Sequence, residues 1–96
     1  MAKGYCVVTF RSVREPAKVE AYRKIAAPAI QAAGGVFLVG GMPTKVYEVG
    51  RMERVAIIEF ESVEKAIALH DGPEYQSALR ALGDGAERDL RIVQGL

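Results

Sequence analysis

The chain has 96 residues, half of them hydrophobic and 26% charged, with 13 Lys plus Arg against 12 Asp plus Glu. That is the length of one domain with one core, here residues 1–96, and an ordinary globular composition rather than a disordered or fibrous one. A net charge of +1 with no basic stripe argues against a nucleic-acid partner, and the single cysteine, Cys6, excludes an internal disulfide.

The first apolar stretch turns polar again at Arg11, too soon for a signal peptide or a bilayer span. No basic amphipathic helix suggests a membrane surface. The expectation is a cytoplasmic protein with no membrane partner.

Gly4 to Val13 reads as a strand, rich in the β-formers Tyr5, Val7, Val8, Thr9 and Phe10. Pro16 suits the first position of a helix, where its missing N–H costs nothing. Val19, Tyr22, Ala26, Ala29 and Ala33 recur at helical spacing and predict an apolar stripe that stops at Gly34-Gly35. Pro28 lies inside this stretch and predicts a kink, or two helical pieces, between Ile25 and Ala29. Val36 to Val39 is a second strand. A short extended piece from Lys45 to Val49 follows, then a turn at Gly50-Arg51-Met52-Glu53.

Arg54 to Phe60 is a third strand with a nearly unbroken apolar middle. Ser62 can cap the next helix, and Glu64 in its first turn suits the positive end of the helix dipole. That helix runs to about His70. Asp71-Gly72 breaks it, Pro73 starts another through Leu82, and Asp89 to Val93 is the last strand. The order β-α-β-β-α-β predicts an α+β, ferredoxin-like fold, with helices on one face of a four-stranded antiparallel sheet.

The exposed face of such a sheet normally alternates polar residues with apolar ones. Here, within the first strand, Tyr5, Val7 and Thr9 oppose Cys6, Val8 and Phe10, and within the third, Val55 and Ile57 oppose Ala56, Ile58 and Phe60. Val36 and Leu38 likewise oppose Phe37 and Val39. Both faces are largely apolar, so the expected partner is a second copy laid face to face, because a bare apolar sheet is rarely left exposed. The competing reading is a face covered by the chain's own loops.

Several segments together resemble a known family. They are Ala2-Lys3-Gly4-Tyr5, Ala21-Tyr22, Ala27-Pro28-Ala29-Ile30, Gly34 to Gly41, Ile58-Glu59-Phe60, Gly72-Pro73-Glu74-Tyr75-Gln76 and Ile92-Val93-Gln94-Gly95. The chain resembles, over essentially its whole length, the domain of unknown function 1330 family of the dimeric α+β-barrel superfamily. The resemblance implies a ferredoxin-like subunit paired through its sheets. It implies no single reaction, because the superfamily includes cofactor-free monooxygenases, haem enzymes, isomerases and stress proteins.

Among candidate functional residues, Glu59 stands out as a carboxylate inside an apolar strand. It must be paired, or must shift its pKa upward, and a desolvated carboxylate of that kind can act as a general base near neutral pH. The alternative is a strand-end Glu reaching solvent or an arginine such as Arg54, Arg11 or Arg91. His70, the only histidine, is a candidate acid or base, or simply a helix-end cap. Tyr22 and Tyr75 lie on apolar stripes and can offer hydroxyls to a ligand or merely pack. Arg23 and Arg54 can take a carboxylate in a fork, or sit solvated at the surface.

One His and one Cys without a spacing motif predict no metal, and no cofactor motif is present. Cys6 on an apolar strand reads as an inert core thiol. Two functions stay open. One is a dimer that binds or converts a small organic molecule in a pocket between sheet and helices, with Glu59 and His70 catalytic and Tyr22, Arg23, Arg54 and Tyr75 holding the ligand. The other is a non-catalytic structural, stress-related or ligand-sensing dimer.

Overall fold

The computed structural model describes residues 2–96. Its elements are β1 (Gly4–Val13), α1 (Pro16–Ala32), β2 (Val36–Gly41), β3 (Val55–Phe60), α2 (Val63–Asp71), α3 (Pro73–Leu82) and β4 (Ala86–Gln94). The strands make one antiparallel sheet in the order β2-β3-β1-β4. With its helices packed on one face of the sheet, the chain has the ferredoxin-like α+β fold.

Local chemistry accounts for the helix limits. Pro16 opens α1, and Gly34, at φ 85°, takes the left-handed conformation just beyond its end. The Ser62 hydroxyl accepts a 3.1 Å bond from the Lys65 amide and caps α2. Pro73 opens α3 directly after Gly72. At Pro28 the chain does not divide into two helical pieces: α1 is continuous through it. Pro28 and Lys24 are both exposed, so the carbonyl that loses its partner faces solvent rather than core.

The helix-facing side of the sheet carries the core. Cys6, Val8 and Phe10 of β1 and Ile58 and Phe60 of β3 are buried against Tyr22, Ala26 and Ile30 of α1, Ala66 of α2, and Tyr75, Ala78 and Leu82 of α3. Leu90 and Ile92 of β4 pack at its margin. On α1 the buried stripe continues to Ile30, whereas Ala33 is exposed beyond the helix end.

The opposite side presents Tyr5, Val7 and Thr9 of β1, Val55, Ile57 and Glu59 of β3, and Val93 of β4, paired across the sheet. A register shift between Phe37 and Val39 changes the reading of β2. Val36 and Val39 pair with the outward Glu59 and Ile57, while Phe37 and Gly40 pair with the inward Ile58 and Ala56. Leu38 is the extra residue. Val36, Val39 and Val93 are each about half exposed, at 53%, 44% and 51%.

Residues 42–54 form a loop, and Lys45–Val49 is not a strand. Its one tight turn closes with a 2.9 Å bond from the Gly50 amide to the Tyr47 carbonyl. The loop leans over one end of the outer face and encloses, with Thr9, Arg11 and Val55, a cavity of about 340 Å³. β4 starts at Ala86, three residues earlier than its sequence suggests, because Phe10 to Val13 of β1 extend the ladder to meet it.

Candidate functional site

A cavity of about 410 Å³ lies between α1 and the β2–β3 side of the sheet. Tyr22, Arg23, Ala26, Ala27, Ile30 and Gln31 line it from the helix. Phe37, Leu38, Val39 and Gly40 line it from the edge strand, with Arg54, Ala56 and Ile58 from β3 and the loop before it. Val8 and Phe10 of β1 and Arg88 of β4 complete the lining.

The space exists because facing positions are small. Ala26 and Ala27 look across at Ala56 and Gly40, where larger residues would close the gap between helix and sheet. The size falls within the range of ordinary small-molecule pockets, about 300–1,000 Å³.

Strand alternation brings two arginines into this cavity. Arg54 precedes β3 in phase with the inward Ala56, Ile58 and Phe60, and its carbonyl accepts a 2.9 Å bond from the Phe10 amide. Arg88 of β4 pairs directly with Phe10 and is in phase with Leu90 and Ile92. Arg54, Phe10 and Arg88 therefore form one row across three strands, spanning about 10 Å at the usual strand spacing.

Arg88 is half-buried, with its guanidinium 4.6 Å from the Tyr22 ring centre and 5.7 Å from that of Phe10. It donates a 3.0 Å hydrogen bond to the Tyr22 hydroxyl. That hydroxyl lies 2.6 Å from the Tyr75 hydroxyl, the two rings meeting edge to face at 5.9 Å. Burial, and then the neighbouring Tyr22 oxygen, push the Tyr75 phenol well above its ordinary value. Burial works against the charge on Arg88, but the two tyrosine oxygens outweigh it and hold its pKa above the usual guanidinium value.

The structure distributes the sequence-derived candidates unevenly. Tyr22, Arg23 and Arg54 line the cavity, and Tyr75 sits behind Tyr22. Arg23 also approaches Glu20 at 3.8 Å on the exposed side of α1.

Glu59 is on the other face of the sheet. It accepts a 2.9 Å bond from the Tyr5 hydroxyl and lies 3.4 Å from Lys3 Nζ, so its partners are a tyrosine and a lysine rather than an arginine. The bond to Glu59 in turn holds the Tyr5 phenol above its ordinary value. His70 contacts Asp71 through Nδ1 at 3.0 Å and packs its ring 5.1 Å from that of Tyr75, outside the cavity lining.

Arg88 is the residue that sequence reasoning missed. Its signal was the period-two match with Leu90 and Ile92, hidden when the strand is started at Asp89. Among the described residues no helix is long and apolar enough to cross a membrane. No group of three or more His, Cys, Asp or Glu among them is placed to hold a metal ion.

The raised Tyr75 phenol and the buried Cys6 thiol set an alkaline limit on stability. Burial raises the thiol, with Arg88 partly offsetting it. The folded chain holds both protons more tightly than the unfolded chain, so the unfolded state loses them first as pH rises. Between neutrality and pH 9.0, the ordinary thiol value, these two groups leave stability flat; beyond it stability is expected to fall, more steeply past 10.0, the ordinary phenol value. Urea midpoints measured across this range check it. Cys6→Val should remove the early part of the fall and Tyr75→Phe should reduce the later part, to which the raised Tyr5 phenol also contributes.

An α+β ferredoxin-like domain with an apolar cavity that arginines help to line is the class that fold and site define. The chain belongs to the domain of unknown function 1330 family, whose sequence profile matches residues 3–96. No curated protein matches it.

Solved structures share its fold at low identity. A protein of unknown function from Rhodopseudomonas palustris is 17% identical with a TM-score of 0.77, the match covering 99% of this chain and 83% of that one. A dimeric protein of unknown function and ferredoxin-like fold from Bacteroides fragilis is 13% identical with a TM-score of 0.61, covering 96% and 95%. SnoaB, a cofactor-independent oxygenase from Streptomyces nogalater, is 13% identical with a TM-score of 0.57, covering 96% and 89%.

Proposed function

We propose that this protein is a homodimer, paired through the outer faces of its sheets, that binds a small organic molecule in the cavity between α1 and the β2–β3 side of each subunit. The observation that carries the binding reading is the cavity itself. It has largely apolar walls, it is of ligand size, and a few polar side chains, Tyr22, Arg23, Arg54 and Arg88 among them, line it.

The ligand contacts fall to Tyr22, Arg23 and Arg54, with Arg88 added and Tyr75 steadying Tyr22. Glu59 and His70 have no place in the binding step, since neither lines the cavity. No carboxylate lines it among the described residues, so a catalytic role would not use a carboxylate base from within this subunit's cavity. Binding is the step that an oxygenase-like role shares with a non-catalytic, ligand-sensing one.

The pairing reading rests on the outer face. Tyr5, Val7, Ile57, Val36, Val39 and Val93 make an apolar band on this face, flanked by Glu59, Asp89 and Arg91, and the 42–54 loop reaches it at the Thr9 end. A second copy would remove that surface from water. A fold relative described as dimeric lends this reading further support.

One labelled sample tests both parts. In a screen of small organic compounds by amide NMR shifts, binders are expected to perturb Tyr22–Gln31, Phe37–Gly40 and Arg54–Ile58 together. Ala56→Leu, which fills the cavity from the sheet, should abolish those shifts. Shifts scattered elsewhere, or no binder at all, would reject the cavity. Light scattering on the same sample should give twice the chain mass at micromolar concentration, and the mass of one chain would reject the pairing.

A further inference from the structure

We infer that the ligand of this cavity is an organic carboxylate, an acid whose charged end is held by Arg54 and Arg88 while its apolar body lies between α1 and β2. This deepens the binding reading above and rests on it.

The charge balance of the site carries the inference. The cavity is lined by Arg23, Arg54 and Arg88 and by no Asp or Glu. The acids next to Arg88 in sequence are turned away by strand alternation and are already engaged. Glu87 lies 3.5 Å from Arg11, and Asp89 takes two bonds from Arg91 at 3.0 and 3.3 Å. Arg88 is left with a neutral hydroxyl, that of Tyr22, and with the faces of two aromatic rings. Among the described residues, Arg54 has no ion-pair partner within 4.0 Å.

A half-buried cation without a counter-ion is costly, and an incoming anion relieves that cost. A guanidinium offers five N–H groups in a planar fork, of which Arg88 uses one for Tyr22, so a fork remains for a carboxylate. Phosphate fits less well. Phosphate sites usually draw on helix N-termini, whereas α1 starts at Pro16 and contributes only Tyr22 onward to the cavity. The remaining walls, Phe10, Ile30, Phe37, Leu38 and Ile58 among them, are apolar and suit a hydrocarbon or aromatic body.

Matched acids and amides decide the point: benzoate, 2-naphthoate and octanoate against benzamide, 2-naphthamide and octanamide, measured by calorimetry. At least one acid is expected to bind about tenfold or more tightly than its amide, the difference that hydrogen bonds to a charged partner supply. Arg54→Met should lower that acid's affinity by a similar factor and leave the amide unchanged, and Arg88→Met should do the same. Arg80→Met, on the exposed last turn of α3, should change neither.

If Arg88→Met fails to fold, Arg54→Met still decides, because among the described residues the Arg54 side chain makes no ion pair. Amides binding as tightly as acids, with Ala56→Leu abolishing both, would overturn the carboxylate and keep the cavity as a binding site. Failure of all six compounds to bind would overturn the carboxylate and count against the binding reading as well.

Discussion

Replacing Phe60 with alanine is expected to cost about 3–5 kcal/mol of stability, the largest single effect in this chain. Phe60 is the largest fully buried side chain, 2% exposed, and ends β3 where the sheet meets the helix layer. Its surroundings cannot collapse onto the vacated space easily. Gly4 pairs with it across the sheet and already abuts the start of α2, where an added Cβ would come within 2.6 Å of the Val63 nitrogen. Gly35, on the way into β2, is just as close to Ile30.

Two of the neighbours are therefore backbone held in fixed contact rather than side chains free to swing inward. A chain of this size has total stability of about 5–15 kcal/mol, so the variant should keep its fold only narrowly. Thermal unfolding should show a drop of roughly 12 °C or more. A drop of only about 5 °C would mean that the β3–α2 corner repacks freely, against the close contacts described above.

The second large effect concerns the hydroxyl pair behind the cavity. Tyr22→Phe removes the acceptor of the Arg88 bond and the partner of the Tyr75 hydroxyl in one step. Tyr75 is 3% exposed, so its hydroxyl would lose its Tyr22 partner inside the core, with the Arg88 guanidinium as its remaining neighbour. An orphaned buried polar group costs about 1–3 kcal/mol, and more when a charge loses its partner. Tyr75→Phe orphans less, because Tyr22 keeps its bond from Arg88, and should cost about 1 kcal/mol.

The pair is informative because the two costs should not add. With both hydroxyls gone neither is stranded, and Tyr22→Phe/Tyr75→Phe should be less destabilised than the sum of the singles by about 1 kcal/mol or more. Urea unfolding of the four proteins measures that coupling. Simple additivity would show that water satisfies each hydroxyl independently, and that the 2.6 Å contact contributes little.

The order and type of the elements were legible in the sequence because local chemistry decides them. Pro16, Gly34, Ser62, Gly72-Pro73 and Gly83 mark helix limits by conformational preference, and the runs at Gly4–Phe10 and Arg54–Phe60 are apolar enough to read as strands by themselves. The apolar character of both sheet faces was visible in the same way, since a period-two pattern needs no knowledge of the partner strand. Tyr22, Arg23 and Arg54 could be singled out by residue type and position, though residue type alone did not say that they share one cavity.

What pairing across the chain decided was not legible. Arg88 faces inward because β4 extends back to pair with Val13 and Ser12, and its own neighbours Glu87 and Asp89 read as a polar turn. The extra residue at Leu38 reverses the facing of everything after it in β2, and a bulge leaves no mark in an all-apolar run. Glu59 looked like a desolvated carboxylate because Lys3 and Tyr5, which meet it, are more than fifty positions away in the chain.

The cavity itself belongs to the tertiary structure alone. Ala26, Ala27, Gly40 and Ala56 are unremarkable where they stand in the sequence, and they enclose space only once α1 is laid across β2 and β3. Short-range preferences specify which elements form. The volume left between them, and the charges that end up facing it, depend on which small and basic residues packing brings opposite one another.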